Sequence, residues 1–246
     1  MRLPPLTEGS LIRRYRRFLA DVRLRDGSVV TAHCPNTGSL LGCDRPGAPV
    51  WLSRSEAPRR RLAWTWELVE PAPGVRVCIH TGRTNAIVAE AVEGGRIAPL
   101  AGYARLRREV RFGREGSRVD LLLEDPVRGR CFVEVKHVTA VDGAGHAIFP
   151  DAVTVRGRRH LRELVHHLRK GDRAVLVFCV ARGDARALRP ADEIDPAYGA
   201  ALREALAAGI EAYAYACRVG TRSVAISRQL PLSLDGDVSG MPTAGD

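Results

Sequence analysis

The sequence predicts an α/β (α+β) chain of two parts, a small N-terminal β-barrel and a larger domain in which helices cover a mixed β-sheet. Two observations predict this organisation. Residues 9–80 contain short strand-like runs separated by Gly and Pro, whereas residues 82–232 alternate between helical and strand-like patterns. The first part is also the more basic, because residues 1–80 hold 13 Arg against 7 acidic residues, a net charge of +6.

The N-terminal part is expected to form five short strands, at residues 18–24, 28–33, 48–53, 62–70 and 75–81. Asp26-Gly27 separates the first two strands and is typical of a hairpin turn. Five strands in a segment of this length favour an OB-like barrel over residues 1–81. Trp64 and Trp66 alternate onto one face of their strand, where we expect barrel core or a domain interface rather than a surface that stacks bases.

The pattern changes after Thr81. A helix is expected at residues 85–93, with Thr84 as its N-cap and Gly94-Gly95 at its end. Three strands, a helix, a strand, a helix and a strand are expected to follow, at residues 108–113, 118–124, 131–138, 157–170, 174–180, 196–208 and 211–219. This order predicts a mixed sheet with helices over residues 82–232. Residues 233–246 are expected to be a disordered tail.

The composition narrows the classes of function. The net charge is +10 and the pI about 9.9, which favours a polyanionic partner such as nucleic acid. No apolar run reaches the ~18 residues that cross a membrane, and the N-terminus lacks the apolar core of a signal peptide. The six Cys are scattered among apolar runs, as in a reduced cytoplasmic protein, and His33-Cys34 with Cys43 lacks the paired spacing of a zinc site.

The choice of basic residues is unusual. Of the 38 basic residues, 36 are Arg, and only Lys136 and Lys170 are Lys. Lys136 follows Glu134 by two positions in a run that is typical of a buried strand. Lys carries a compact charge whose pKa can shift, whereas Arg is a planar group that stays protonated. A site that needs a small ammonium beside a carboxylate would explain Lys136, and chance survival in an Arg-rich composition is the alternative.

Glu134 and Lys136 are predicted to share one face of their strand, because side chains alternate along a strand. Asp120 lies on the preceding strand, and its carboxylate comes near Glu134 if the two strands are hairpin neighbours. Two unpaired buried carboxylates repel each other, and a divalent cation relieves that cost. Mg²⁺, with Mn²⁺ as a substitute, accepts one or two carboxylates, keeps several waters and binds a substrate phosphate.

The candidate metal ligands are therefore Asp120, Glu134 and the backbone carbonyl of Val135. Lys136 would contact the attacking water or the scissile phosphate and stabilise charge that develops there. The Glu-x-Lys spacing alone is weak evidence, but the order of elements around it is that of the PD-(D/E)XK nuclease core. The alternative is ordinary ion pairing, of Glu134 with Lys136 and of Asp120 with Arg118 or Arg156.

Three further acidic residues are considered at this site. Glu90, on the first helix of the second part, would supply a third carboxylate or would be an exposed helix acid, and Glu109 is a less favoured substitute. Pro150-Asp151 follows Lys136 in the chain, so Asp151 cannot be the first acid of the motif. Asp151 is expected at the edge of the site, with capping of the next segment as the alternative.

Two basic groups are candidates for contacts to phosphates. The barrel group lies in the barrel part and consists of Arg13, Arg14, Tyr15, Arg16 and Arg17. The second group lies on the helix expected at 157–170 and consists of Arg158, Arg159 and Arg162. An aromatic ring among arginines suits a groove that holds a nucleic-acid strand and stacks a base. For both groups the alternative is an ordinary solvated face.

Several motifs stand out in combination, at residues 11–22, 33–39, 64–69, 117–120, 133–136 and 149–154, with Arg156-Gly157 and His160-Leu161. Together they resemble the sugar fermentation stimulation protein A (SfsA) family, over about residues 8–232. The resemblance implies an OB-like domain followed by a PD-(D/E)XK nuclease-type domain, in a cytoplasmic prokaryotic protein that binds DNA. It also implies a link to the regulation of sugar (maltose) metabolism. His137 and Ala140 depart from the Asn and Leu more frequent in the family, and neither is a candidate ligand.

Two functions therefore compete. The first is a DNA-binding protein with a magnesium-dependent nuclease site in its C-terminal domain. The second is a regulator that binds DNA through its basic surfaces and keeps the nuclease fold without catalysis. A protein-interaction module without affinity for nucleic acid is disfavoured by the pI of about 9.9.

Overall fold

The structure, a computed structural model, describes residues 1–57, 60–112 and 117–234, without the side chains of Phe112 and Ser117. It confirms the predicted fold class, an OB-like barrel followed by a domain built on a mixed sheet. The predicted tail lies outside the described residues from residue 235 onward. Within the described part of the chain, no helix has the length and apolar character needed to cross a membrane.

The barrel contains strands β1 (Leu6–Tyr15), β2 (Leu19–Leu24), β3 (Val29–His33), β4 (Pro49–Arg54), β5 (Trp64–Ala72) and β6 (Val75–Cys78). Their order is β3-β2-β1-β4-β5-β6, and β3 also pairs with β5, which closes the first five strands into a barrel. Trp66 is fully buried in the barrel core, in one cluster with Leu11, Val22 and Leu52. Barrel core was one of the two places predicted for it, the other being a domain interface.

The sequence-based prediction missed β1. This strand is long and changes partner: its first half pairs with β4 and its second half with β2. Only Gly9 and Leu11 of its ten residues are buried. Because its second half carries arginines rather than alternating apolar side chains, the pattern that marks a strand is absent there.

The second part contains α1 (Thr84–Glu93), β7 (Arg105–Phe112), β8 (Ser117–Asp125), β9 (Gly129–Val138), β10 (His146–Phe149), α2 (Val155–Leu168), β11 (Arg173–Val180), β12 (Ala187–Pro190), α3 (Pro196–Ala207), β13 (Glu211–Val219) and β14 (Val224–Leu230). Its main sheet has the order β14-β13-β11-β9-β8-β7, with β9, β11 and β13 parallel to one another. The prediction missed β10, β12 and β14. The short strands β10 and β12 pair with each other in parallel and form a small separate sheet.

The two faces of the main sheet carry different cores. Helix α1 packs on one face, where Val133 and Val135 meet Trp51, Leu68 and Cys78 of the barrel in one shared cluster. Helices α2 and α3 cover the other face. The barrel and the sheet therefore share buried apolar surface and are held together by it.

Thr84 does not cap α1 as predicted. The helix already begins at Thr84, Arg83 occupies the N-cap position, and no side chain caps this end. The Thr84 hydroxyl instead lies 2.8 Å from Nδ1 of His137 on β9. Helices α2 and α3 do have side-chain caps, from Thr154 and Asp195.

Candidate active site

Asp120 and Glu134 come together where strands β8 and β9 separate. The pairing of these strands runs from Asp125↔Gly129 to Leu121↔Val133 and then stops. One residue further, Oδ2 of Asp120 accepts a hydrogen bond of 2.7 Å from the backbone N–H of Val135. The Asp120 carboxylate thus accepts the Val135 N–H in place of a backbone carbonyl of β8, and it lies next to the position of Glu134.

Glu134 is buried, with 3% of its surface exposed. Its Oε1 accepts a hydrogen bond of 2.7 Å from the Lys136 ammonium and also contacts Nδ1 of His160, on α2. Its Oε2 is equally buried and has no hydrogen-bond donor among the described residues. A charged oxygen in that position is costly unless a cation or a water satisfies it.

The two carboxyl groups respond differently to this environment. Burial, helped by the charge of Glu134, raises the pKa of Asp120 to about 6, against the opposing effects of the Val135 N–H, Asn85 and Lys136. Burial also acts to raise the pKa of Glu134, but Lys136 and His160 outweigh burial and that pKa lies below its ordinary value. Two carboxyl groups thus share one buried place, and the charge of Glu134 disfavours ionisation of Asp120.

The oxygens present fit a hard divalent cation. Besides the two carboxylates, the Val135 carbonyl is available, because the N–H and C=O of a strand residue point to the same side and the Val135 N–H points at Asp120. The described residues contain no group of three or more His, Cys, Asp or Glu that could hold a metal. Mg²⁺ and Mn²⁺ accept such a sparse site since they keep several waters, whereas a zinc site of three or four side chains does not fit.

Glu90 does not join the site as predicted. Its side chain is 55% exposed, and its Oε1 accepts a hydrogen bond of 2.8 Å from the amino group of Met1. Asn85, at the start of the same helix, points to the site instead: its Nδ2 donates to Oδ1 of Asp120 at 2.9 Å and to Oε1 of Glu109 at 2.5 Å. Glu109, the less favoured acid, is therefore the one that is linked to Asp120.

His160 and Asn85 are functional candidates that sequence reasoning missed. His160 lies beside Leu161 and one turn before Leu164, both buried on the same side of α2. A histidine inside the apolar stripe of an amphipathic helix was a signal that it faces the sheet. For Asn85 the only signal was its place in the first turn of a helix that precedes the candidate strands.

Arg14 does not face solvent as the prediction of a phosphate contact requires. Its side chain is only 8% exposed. Its guanidinium donates hydrogen bonds to the backbone carbonyls of Arg17, Asn36, Gly38 and Ser39. Arg14 therefore ties the β1–β2 hairpin to the segment after β3, which is a structural role.

The other members of the barrel group stay near the surface. Arg13 pairs with Asp21 at 2.8 Å and lies over the ring of Tyr15, whose hydroxyl also donates to Asp21. Arg16 and Arg17 form the hairpin tip, are exposed, and both have positive φ angles, of 50° and 66°. Non-glycine residues in this backbone region cost energy, and such strain is concentrated at functional sites.

The three arginines of the second basic group lie on helix α2. Arg158 pairs with the buried Asp195 at 3.3 Å. Arg159 is half-buried and Arg162 is exposed. The group therefore contributes positive charge along one side of α2, the helix that carries His160.

Replacing Arg14 by Met should lower the free energy of unfolding by about 1–3 kcal/mol, because four backbone carbonyls lose a charged donor. Replacing its neighbour Arg13 by Met should change the free energy of unfolding much less, since the ion pair of the exposed Arg13 contributes little. Urea unfolding of both variants measures the difference. Equal effects would contradict the structural role of Arg14.

Both parts of the chain match known protein families. Residues 82–223 match the family described as "Sugar fermentation stimulation protein RE domain", and residues 12–79 match the "SfsA N-terminal OB domain". The chain belongs to the SfsA family. The resemblance seen in the sequence motifs is thereby confirmed.

Relatives of SfsA type are similar over nearly the whole chain. A sugar fermentation stimulation protein homolog of Geobacter sulfurreducens is 58% identical over 228 residues, covering 93% of this chain and 96% of the relative. A homolog of Thioalkalivibrio sulfidiphilus is 57% identical over 231 residues, covering 94% and 97%. A solved structure, Pyrococcus furiosus SfsA in complex with Ca²⁺, has 28% identity and a TM-score of 0.85, covering 95% of this chain and 98% of that one.

Proposed function

We propose that this SfsA-family chain binds DNA and hydrolyses its phosphodiester bonds at the site formed by Asp120, Glu134 and Lys136, with a divalent cation. The observation that carries the proposal is Oε2 of Glu134, a buried charged oxygen without a donor among the described residues, beside the second carboxylate of Asp120. A cation between the two would satisfy both. The solved relative in complex with Ca²⁺ supports a divalent cation, because Ca²⁺ and Mg²⁺ both select oxygen ligands.

Each side chain has a separable task in this proposal. The cation, Mg²⁺ or Mn²⁺, would be held by Asp120, Glu134 and the Val135 carbonyl, and would polarise a phosphate oxygen and acidify a water. The buried ammonium of Lys136 is fixed by Glu134 at 2.7 Å and keeps two protons for a phosphate oxygen or the attacking water.

Two neighbouring side chains fix the orientation of the carboxylates. His160 occupies Oε1 of Glu134, which leaves Oε2 for the cation. Asn85 holds Oδ1 of Asp120, while the Val135 N–H holds its Oδ2. Such contacts lock the rotamers of the groups that act on the substrate and are positioning roles.

The barrel offers a place for a DNA strand. A cavity of about 600 Å³ lies between the β1–β2 hairpin tip and the connection from β4 to β5, and its lining includes Arg16, Phe18, His33 and Arg60. Phe18 is 48% exposed, unusually high for an aromatic side chain. OB barrels bind oligonucleotides at these two loops, and an exposed ring with arginines suits base stacking and phosphate contacts.

The metal dependence of cutting tests the proposal. Purified protein should nick supercoiled plasmid and cut single- or double-stranded oligonucleotides with Mg²⁺ or Mn²⁺, and should leave them intact in excess EDTA. Cutting of equal rate with and without EDTA would contradict a metal site. Absence of cutting on every form of DNA with either metal would contradict the catalytic half of the proposal.

Replacing Arg16 and Arg17 together by Ala should weaken DNA binding and lower the slope of log affinity against log salt by about 2, since each lost phosphate contact releases one counterion fewer. Arg96, exposed just after α1, is a matched control whose replacement by Ala should leave the slope unchanged. Fluorescence anisotropy across a salt series measures both. An unchanged slope in the double variant would place the binding surface elsewhere.

Two features of the site favour the second candidate function, a regulator that binds DNA without catalysis. Oε1 of Glu134 already contacts both Lys136 and His160, and the site offers two carboxylates rather than three. In that case DNA affinity would fall with salt, would be indifferent to metal, and no nicking would occur.

A further inference from the structure

Asp151 connects the barrel to the domain that carries the candidate active site. It lies in the segment between β10 and α2, and its Oδ2 accepts two hydrogen bonds of 3.1 Å, from the hydroxyl of Ser39 and the backbone N–H of Leu40. Gly38 allows this close approach, because a Cβ there would lie 2.7 Å from Oδ2 of Asp151. Asp151 thus reaches 111 residues back along the chain to one barrel loop, residues 36–41.

On the barrel side, this loop is tied to the candidate DNA-binding hairpin. Arg14 donates to the carbonyls of Asn36, Gly38 and Ser39 in the loop and also to the carbonyl of Arg17 at the hairpin tip. Arg14 therefore links the hairpin tip to the loop, and Asp151 binds that loop from outside the barrel.

On the other side, the segment that carries Asp151 continues into α2. The backbone N–H of Thr154 donates to the buried Asp195 at 2.8 Å, and the Thr154 hydroxyl accepts from Gly157 at 2.9 Å to cap the helix. Two turns along α2, His160 contacts Glu134. A short path of hydrogen-bonded groups thus leads from the hairpin tip through Asp151 to the candidate active site.

We propose that Asp151 is a positioning residue that sets the place of the DNA-binding hairpin tip relative to Glu134, and so the distance along DNA between the bound and the cleaved nucleotides. This rests on the proposed function. The shared core, in which Trp51 and Leu68 meet the main sheet, already holds the two parts together. Asp151 therefore acts locally, on the loop 36–41 and the hairpin tip.

The first test measures where cleavage falls on an end-labelled DNA of fixed sequence. Asp151→Ala should lower kcat by roughly tenfold with KM within about twofold, and should spread the cut positions over several nucleotides, because misplacement of bound substrate slows the chemical step. Asp151→Asn, which keeps one acceptor oxygen, should restore part of both. Asp26 is the matched control: it also accepts one serine hydroxyl and one backbone N–H, but within a single hairpin.

Asp26→Ala should cut as the unaltered chain does. An Asp151→Ala protein that cuts at the same positions with the same kcat would overturn the positioning role. A general loss of stability does not mimic the expected result, since it would lower the active fraction without spreading the cut positions.

The second test does not depend on activity. Spin labels on Leu41→Cys, in the barrel loop, and Val127→Cys, in the β8–β9 turn, report their separation, and the six native cysteines are buried. Asp151→Ala should broaden this distance distribution, whereas Asp26→Ala should not. A reference pair on Val29→Cys and Val127→Cys should stay narrow throughout. An unbroadened Leu41 distribution overturns the role of Asp151, and absence of cutting by the unaltered chain, with broadening present, overturns only the proposed function.

Discussion

Lys136→Met should reduce metal-dependent cleavage by roughly 100-fold or more, while Lys170→Met should leave it unchanged. Lys136 is buried and fixed at 2.7 Å from Glu134, where its ammonium can stabilise charge on the phosphate. Lys170 is exposed just after α2. Since these are the only two lysines of the chain, the pair forms a natural control for the loss of one ammonium.

Lys136→Arg should also lose most activity, although its charge is kept. The guanidinium is longer and planar, and it cannot occupy the place of a compact ammonium beside a buried carboxylate. Initial rates of plasmid nicking at saturating Mn²⁺ measure these variants, and circular dichroism checks that each is folded. Full activity of either Lys136→Met or Glu134→Ala would remove the replaced residue from the mechanism.

Asp120→Asn should make the metal-free protein more stable at pH 7.5, by up to about 3 kcal/mol, even though it removes a candidate ligand. The pKa of Asp120 is raised to about 6 in the folded protein, above its ordinary value of 3.8. The folded state therefore binds the proton more tightly than the unfolded state, and this group costs stability as the pH rises from about 4 to about 7. Asn has no charge to bury and escapes that cost.

Urea unfolding in EDTA at several pH values between 4 and 7.5 measures the effect. The advantage of Asp120→Asn should be largest at pH 7.5 and should vanish near pH 4, where Asp120 is protonated in the folded protein. Mn²⁺ should stabilise the unaltered chain and not the variant, because binding to the folded state alone raises stability. A variant that is less stable than the unaltered chain at pH 7.5 in EDTA would contradict the crowded pair of carboxylates.

Local patterns account for the parts of the fold that could be predicted. Alternation in β9 placed Glu134 and Lys136 on one face, and apolar spacing located α2, because both properties depend on residues close in the chain. β1 was missed since its arginine-rich half lacks alternation and its partners, β2 and β4, lie on either side of it in space.

The predictions for individual site residues failed for a common reason. Local sequence does not show how a whole helix or strand is rotated and packed against its neighbours. The sequence indicated that α1 exists but not which of its faces meets the sheet. Glu90 was therefore considered as a third carboxylate of the site, whereas in the structure Asn85 is the α1 residue that contacts Asp120. Arg14 was predicted to contact phosphate. Its actual partners, the loop carbonyls at residues 36–39, follow it by more than twenty positions, so local sequence does not reveal them. His160 reaches Glu134 only through the packing of α2 on β9.

Crystals of the protein grown with Mn²⁺ at pH 7.5 would show, through the anomalous signal of the metal, whether a cation occupies the site of Asp120 and Glu134. We expect one Mn²⁺ between Asp120 and Oε2 of Glu134, with the Val135 carbonyl and waters as its other ligands. Lys136 should remain beside Glu134 with protons free for a phosphate. A structure in which Mn²⁺ is absent from this place, and the Lys136–Glu134 pair stands alone, would contradict the proposed metal site.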